Sequence, residues 1–136
     1  MWVSLLTENQ GTLHIGVYYG KQEGVSQEDI REEMDKLSEE ILEMKATGEV
    51  ILCMDANAKI GLMGEPVSRN GGMINCVFEE CEIEVMNASE ICKGVVTRQN
   101  RKIEAERSAI DLIVATYKAG RMFDTMEIDE IGEHRM

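Results

Sequence analysis

The segment from Ser26 to Gly48 constrains the fold most, because it carries a helix start, a helical apolar stripe and a helix stop in that order. Ser26 is a favourable N-cap residue, and the acidic Glu28 and Asp29 suit the positive end of a helix dipole. Apolar side chains then recur at spacings of four, three, four and three residues, namely Ile30, Met34, Leu37, Ile41 and Met44. This spacing predicts one amphipathic helix that ends near Gly48 and turns an acidic face to solvent.

Strand patterns lie on both sides of this helix. Val50 to Met54 is a continuous apolar run, which predicts a strand buried on both faces. Thr12 to Tyr19 alternates, so we expect a strand with its leucine, isoleucine and valine buried and Tyr18 pointing to the other side. Trp2 to Leu6 predicts a further strand, joined to it by a turn in which Gly11 supplies a positive φ. The alternation of strands and helix predicts an α/β fold.

The second half of the chain gives shorter signals. The only proline and several glycines predict a loop over residues 61–72, followed by a short helix over residues 73–80. Short strands are predicted over residues 83–86 and 95–98. A longer apolar strand is predicted over residues 109–116, with Asp111 in its midst.

Length and composition indicate a single globular domain without a membrane span, a zinc site or disulfides. A length of 136 residues and an apolar content of 43% suit a single domain over residues 1–136. The apolar runs are too short to cross a bilayer and the first residues lack a signal-peptide pattern, so we expect an intracellular protein, cytoplasmic or nuclear, without a membrane partner. The four cysteines form no CxxC pair, which predicts free thiols rather than a zinc site or disulfides.

The distribution of charge bears on nucleic-acid binding. A formal net charge of -12 disfavours contact with phosphates as a whole. Basic residues concentrate between Lys93 and Arg107, which is the one stretch suited to face phosphate. A solvated loop explains that stretch equally well.

Three polar residues stand where chemistry could take place. Asp55 and Asn57 follow a buried strand two residues apart, so extended backbone would project both side chains to the same side. Asp111 lies within an apolar run, where a carboxylate is costly to bury unless it is paired. A turn cap at residues 55–57 and a backbone hydrogen-bonding role for Asp111 are the structural alternatives.

The order of these features resembles the endonuclease/exonuclease/phosphatase superfamily, and most closely the endonucleases of LINE-type retrotransposons. The resemblance runs from about Leu13 to Thr116. Residues 54–57 keep the aspartate and asparagine of the family's Gly-Asp-Phe-Asn motif and change its other two positions. Residues 108–111 match the family's Ser-x-Ile-Asp motif in full. The resemblance implies an α/β fold, specifically the C-terminal half of a four-layer sandwich with mainly antiparallel sheets.

The resemblance also implies roles for individual residues. Tyr18 would contact the scissile phosphate, Asn57 would hold that phosphate in the transition state, and Thr97 would lie near the substrate. Asp55 would orient or deprotonate the attacking water, and Asp111 would orient a histidine. The family uses Mg²⁺ or Mn²⁺, which prefer such hard oxygen ligands. The implied substrate is nucleic acid, DNA more than RNA, with RNA or a phosphorylated small molecule as alternatives.

Two parts of the family's catalytic set do not match residues of this sequence. The metal-binding glutamate belongs before the tyrosine strand, and the final Asp-His pair belongs after the Asp111 strand. His134 is preceded by glutamate and is a weak substitute. The metal ligands therefore stay unassigned, and we expect an inactive chain, a non-catalytic remnant or an interaction module, with an uncovered apolar sheet face suited to self-association.

Overall fold

The computed structural model of the chain describes residues 1–8, 11–22, 24–94, 98–99, 107–108 and 110–128. Nine strands and three α-helices lie within this part of the chain. In order they are β1 (Trp2–Thr7), β2 (Gly11–Tyr19), α1 (Gln27–Lys45), β3 (Glu49–Asp55), α2 (Arg69–Cys81), β4 (Glu84–Val85), β5 (Cys92–Lys93), β6 (Arg98–Gln99), β7 (Arg107–Ser108), β8 (Asp111–Ala115), α3 (Tyr117–Gly120) and β9 (Met126–Glu127). The predicted α/β class is confirmed.

The main sheet has five strands in the order β1-β2-β3-β8-β4. β2 and β3 are parallel and are connected through α1, whereas the other three neighbouring pairs are antiparallel. The sheet is therefore mixed. β5 pairs with β9 and β6 with β7 in two small two-stranded sheets.

The helix α1 confirms the prediction made from its apolar stripe and its cap. The Ser26 side chain accepts a hydrogen bond from the backbone N–H of Asp29, and the predicted stripe faces the core. The helix ends at Lys45, before Gly48. A Cβ at Gly48 would lie 2.3 Å from the carbonyl oxygen of Thr12, so this glycine permits close approach of β2 rather than stopping the helix.

The helix α2 begins earlier than its sequence predicts. The predicted loop over residues 61–72 ends at Ser68, whose side chain caps the helix by accepting from the N–H of Gly71. Gly71 is also fixed by packing, because a Cβ there would lie 1.9 Å from the carbonyl oxygen of Lys59. The cap and this contact place a glycine-containing segment in the first helical turn, although glycine lowers helix propensity.

One face of the main sheet packs against α1 and α2 and forms the larger core cluster. On β2 this face carries His14 and Gly16, both buried, with the Trp2 ring lying against Gly16. The sequence prediction of the buried side was wrong here. The leucine, isoleucine and valine of β2 lie on the opposite face, where Leu13 and Ile15 are partly buried and Val17 is exposed.

β3 also differs from its prediction of burial on both faces. Val50, Leu52 and Met54 are buried under the helices, whereas Ile51 and Cys53 are only partly buried on the other side. A smaller cluster around the buried Met86, Ala115 and Ala119 covers part of that second face. The helices therefore cover one face of the main sheet except along β1, where Leu6 is exposed, and the other face is only partly covered, with Val3, Leu5 and Val17 exposed on it.

The remaining predicted elements are shorter than expected. The strand predicted over residues 83–86 is limited to β4, which runs into a single turn of 3-10 helix at Met86–Ala88. β8 starts at Asp111, so this residue lies at the strand's beginning rather than in its middle. Of the strand predicted over residues 95–98, positions 95–97 lie outside the described residues. All four cysteines are free, and none of the described helices is long and apolar enough to cross a membrane.

Candidate functional site

Two aspartates meet where β3 ends and β8 begins. The antiparallel register pairs Asp55 directly with Asp111, which places both residues on the sheet face away from the helices. Side chains of directly opposed residues in such a pair have Cβ atoms about 5 Å apart. Directly opposed like charges destabilise an antiparallel pair, and a cation bound beside them would offset that cost.

Asn57 makes hydrogen bonds that hold the ends of β2 and β3 together next to Asp55. Its backbone takes a left-handed conformation with φ of 48°, a region that asparagine tolerates better than most residues. Its backbone N–H donates to Asp55 Oδ1 at 3.2 Å, and its side-chain amide donates to the carbonyl oxygen of Gly20 at 2.8 Å. The Gly20 N–H in turn donates to the backbone oxygen of Asp55 at 2.6 Å. Asn57 thus ties the ends of β2 and β3 together and holds the Asp55 carboxylate.

Asn87 positions the other aspartate, a role that its sequence context did not reveal. Its side chain is 6% exposed, donates to the backbone oxygen of Asp111 at 3.0 Å and accepts from the N–H of Ile113 at 2.9 Å. The carboxamide thereby continues the pairing that β4 makes with β8. A buried amide with a matched donor and acceptor pair holds one backbone register, so Asn87 fixes where Asp111 begins the strand.

Tyr18 lies on the other side of the sheet from the aspartates. Its neighbour in the register is Met54, whose side chain is buried in the helix-covered core. The Tyr18 hydroxyl donates to the Glu33 carboxylate on α1, and Lys21 forms an ion pair with Glu33 at 3.1 Å. Burial, and then the hydrogen bond and negative charge of Glu33, raise the pKa of Tyr18 far above its usual value. The structure thus brings Asp55 and Asp111 together. Asn57 contacts Asp55 through its backbone N–H, but its left-handed backbone turns its side-chain amide to Gly20, so the expected projection of both side chains from extended backbone is wrong. The Tyr18 hydroxyl is also directed elsewhere.

A cleft of about 500 Å³ opens beside the paired aspartates. Its apolar walls come from the partly covered sheet face and from the segment at β9, namely Val17, Tyr19, Cys53, Ile113, Met126 and Ile128. Its carboxylates are Asp55, Asp111 and Glu127. Burial raises the pKa of the Cys53 thiol, which disfavours the reactive thiolate.

The other residues named from sequence do not join this arrangement in the described part of the chain. His14 is buried between the side-chain oxygens of Ser4 and Thr47, at 2.7 Å and 2.9 Å, which agrees with a structural role. Thr97 and His134 lie outside the described residues, as does most of the basic stretch. Among the described residues, no group of three or more histidine, cysteine and acidic side chains is arranged to hold a metal ion.

Comparison with known proteins leaves these residues to be interpreted from their own geometry. No protein-family model and no curated protein matches the sequence.

Proposed function

We propose that this chain carries part of a metal-dependent phosphodiesterase site of the endonuclease/exonuclease/phosphatase type, acting on DNA. The observation that carries the proposal is the direct pairing of Asp55 with Asp111, two residues from distant parts of the sequence. Both belong to the motifs on which the family resemblance rests. The hydrogen bond from the Asn57 N–H to Asp55 is the turn cap named above as the structural alternative, and it also holds this carboxylate in one orientation, as a catalytic carboxylate requires.

The role of Asp55 is supported by its contact with Asn57, and the roles of Asn57 and Asp111 rest on the family resemblance. Asp55 has one oxygen engaged by the Asn57 N–H, which fixes the carboxylate for orienting or deprotonating water. Asn57 would clamp the phosphate by the family resemblance alone, with the one amide N–H that its bond to the Gly20 carbonyl leaves over. Asp111 would orient a histidine in a complete family member; in the described part of this chain it stands beside Asp55 as a second carboxylate for a cation. Tyr18 is given no part in phosphate binding, because its hydroxyl is bound to Glu33 on the other face.

Asp55 and Asp111 are the residues that would hold a divalent cation. Carboxylate oxygens suit Mg²⁺ or Mn²⁺, which would supply Lewis-acid stabilisation of the phosphodiester. Two carboxylates provide few of the oxygen ligands that such a cation needs, so the cation would keep most of its water and bind weakly.

The four-layer sandwich is also part of the proposal. In that architecture a second sheet would cover the face on which Val17 and Tyr19 are exposed, and the aspartates would lie at the edge between the two sheets. The apolar character of this face in an otherwise acidic chain supports such a packing partner.

Paramagnetic broadening by Mn²⁺ in amide NMR spectra tests the site. We expect broadening to centre on Asp55, Asn57 and Asp111 and to be lost in Asp55→Asn. The matched control Glu32→Gln removes an exposed carboxylate from α1 and should leave the pattern unchanged. Broadening centred on the acidic face of α1, or unaffected by Asp55→Asn, would contradict the proposal.

A plasmid-nicking assay tests whether the chain has all the residues that phosphodiester hydrolysis needs. With Mg²⁺ alone we expect no detectable nicking, because His14 is buried away from Asp111 and is the only histidine within the described residues. Loss of one preorganised transition-state donor costs about a hundredfold or more in rate. Nicking that Asp55→Ala abolishes would show a complete set in this chain and make His134 the next residue to replace.

A further inference from the structure

Among the described strands β1 lies at the outer edge of the main sheet, and no strand of the described residues pairs with its other side. It pairs with β2 along its whole length, without a bulge. Met1 exchanges backbone hydrogen bonds with Val17, at 3.0 Å and 3.5 Å. Because such pairs alternate along an antiparallel ladder, the amides of Trp2, Ser4 and Leu6 point away from β2 to the open edge.

This edge lacks the features that commonly prevent strands from pairing with other chains. Exposed edge strands are usually protected by a charged side chain, a proline or a bulge. Residues 1–7 contain no charged side chain and no proline, although 29% of the whole chain is charged. The open edge is therefore suited to accept a β-strand.

The side chains of β1 are also suited to a contact. Val3 and Leu5 are 55% and 47% exposed, on the face away from the helices, next to the partly buried Leu13 and Ile15 of β2. Leu6 is exposed on the other side of the strand. A strand placed beside β1 would thus cover apolar surface on both faces of the sheet.

We propose that the partner strand is β1 of a second copy, paired antiparallel about a two-fold axis at Ser4. In this register Trp2 of each copy lies opposite Leu6 of the other, and each hydrogen-bonded pair uses the outward-facing amides. Val3 then packs against Leu5 of the second copy on the face away from the helices. The two five-stranded sheets become one continuous sheet.

Charge favours a second copy at this place over other parts of the surface. Two chains that each carry a net charge of -12 repel each other, and a two-fold axis brings identical side chains together. β1 can meet itself without juxtaposing acids because its side chains are uncharged. Association through β1 should therefore strengthen with added salt, as screening weakens the repulsion between the copies.

Sedimentation of matched lysine variants tests the interface. We expect the parent to form a dimer of twice the 15.3 kDa chain mass, and Leu5→Lys to weaken association by at least about tenfold. Leu42→Lys is the control, since Leu42 on α1 is 42% exposed and lies away from the edge. A monomeric parent at high salt, or equal effects of the two substitutions, would overturn the proposal. Circular dichroism of both variants checks that they are folded.

A mixed cross-linking experiment tests the register and does not depend on Leu5→Lys folding. Val3→Cys and Leu5→Cys should form a disulfide-linked dimer when mixed, above the level given by each variant alone. This follows because position 3 faces position 5 of the other copy, and directly opposed Cβ atoms lie within about 5.5 Å. Equal cross-linking by each variant alone would contradict the axis at Ser4. Neither result depends on metal binding at Asp55, so the dimer and the proposed function can fail separately.

Discussion

Replacing Tyr18 with phenylalanine should destabilise the protein without disturbing the aspartate pair. The substitution keeps the ring, which packs against the helix-covered core, and removes only the hydroxyl that donates to Glu33. A phosphate-contacting tyrosine would instead leave stability nearly unchanged when its hydroxyl is removed. The experiment therefore separates the structural role seen here from the role implied by the family resemblance.

The magnitude follows from the Tyr18–Glu33 contact. A hydrogen bond to a charged group contributes about 1.5–3 kcal/mol, but Glu33 keeps its ion pair with Lys21 and is partly exposed. We therefore expect a loss of about 1–2 kcal/mol in the free energy of unfolding at neutral pH.

The pH dependence gives a second, independent signature of this contact. The folded state raises the pKa of Tyr18 above its unfolded value of 10.0. The stabilisation is therefore complete below that value and is lost as the pH rises above it, by about 1.4 kcal/mol per pH unit. The stability curves of parent and variant should meet roughly one pH unit above the unfolded pKa.

Urea unfolding between about pH 7 and pH 11 measures both effects. Tyr19→Phe is the matched control, because Tyr19 is the next residue and is 74% exposed. Equal stability of Tyr18→Phe and Tyr19→Phe at neutral pH would refute the reasoning. An alkaline slope in Tyr18→Phe as steep as that of the parent would also refute it.

Three further predictions concern other parts of the fold. Asn87→Ala should lower the free energy of unfolding by about 1–2 kcal/mol in urea titrations, because it leaves two partly buried backbone groups of β8 without their partner. Gly71→Ala should cost more than Gly72→Ala in thermal unfolding, since a Cβ would lie 1.9 Å from a carbonyl oxygen in the first case and 4.0 Å from a methyl group in the second. Iodoacetamide should modify the exposed Cys76 quickly and leave Cys81 unmodified until the protein unfolds. Cys81 is fully buried, and burial raises the pKa of its thiol. Mass spectrometry of the native protein after treatment measures which cysteine is modified.

The elements that sequence predicted well are those whose signals are local. The cap and stripe of α1 and the apolar run of β3 depend on neighbouring residues, and both elements formed where expected. The start of α2 was missed because Gly71 looks like a loop residue. The contact that explains it, with the Lys59 carbonyl, comes from the fold.

The buried face of β2 could not be read from its alternation alone. The pattern predicts two faces, but which one is covered depends on the space that Gly16 leaves for the Trp2 ring and on the polar partners of His14. Because the helices cover the face with His14 and Gly16, the apolar Val17 on the opposite face is exposed.

Part of the candidate site was predictable because its residues follow local sequence signals. The positions of Asp55 and Asn57 follow from the end of a single strand, and the order of motifs brought Asp111 into the hypothesis. The partner of Tyr18 lies on another element, and Asn87 acts through backbone atoms of β8. Such contacts leave no periodic pattern, so sequence inspection could not assign them.

The position of β8 between β3 and β4 has a consequence for biosynthesis. β1, β2, α1 and β3 are consecutive in the chain, so their contacts can form as soon as these residues leave the ribosome. β4 has no partner in the main sheet until β8 emerges. Asp55 consequently gains its neighbour Asp111 only when that late strand inserts. Ribosome-bound chains halted before β8 should contain the parallel β2–β3 unit and lack the paired aspartates.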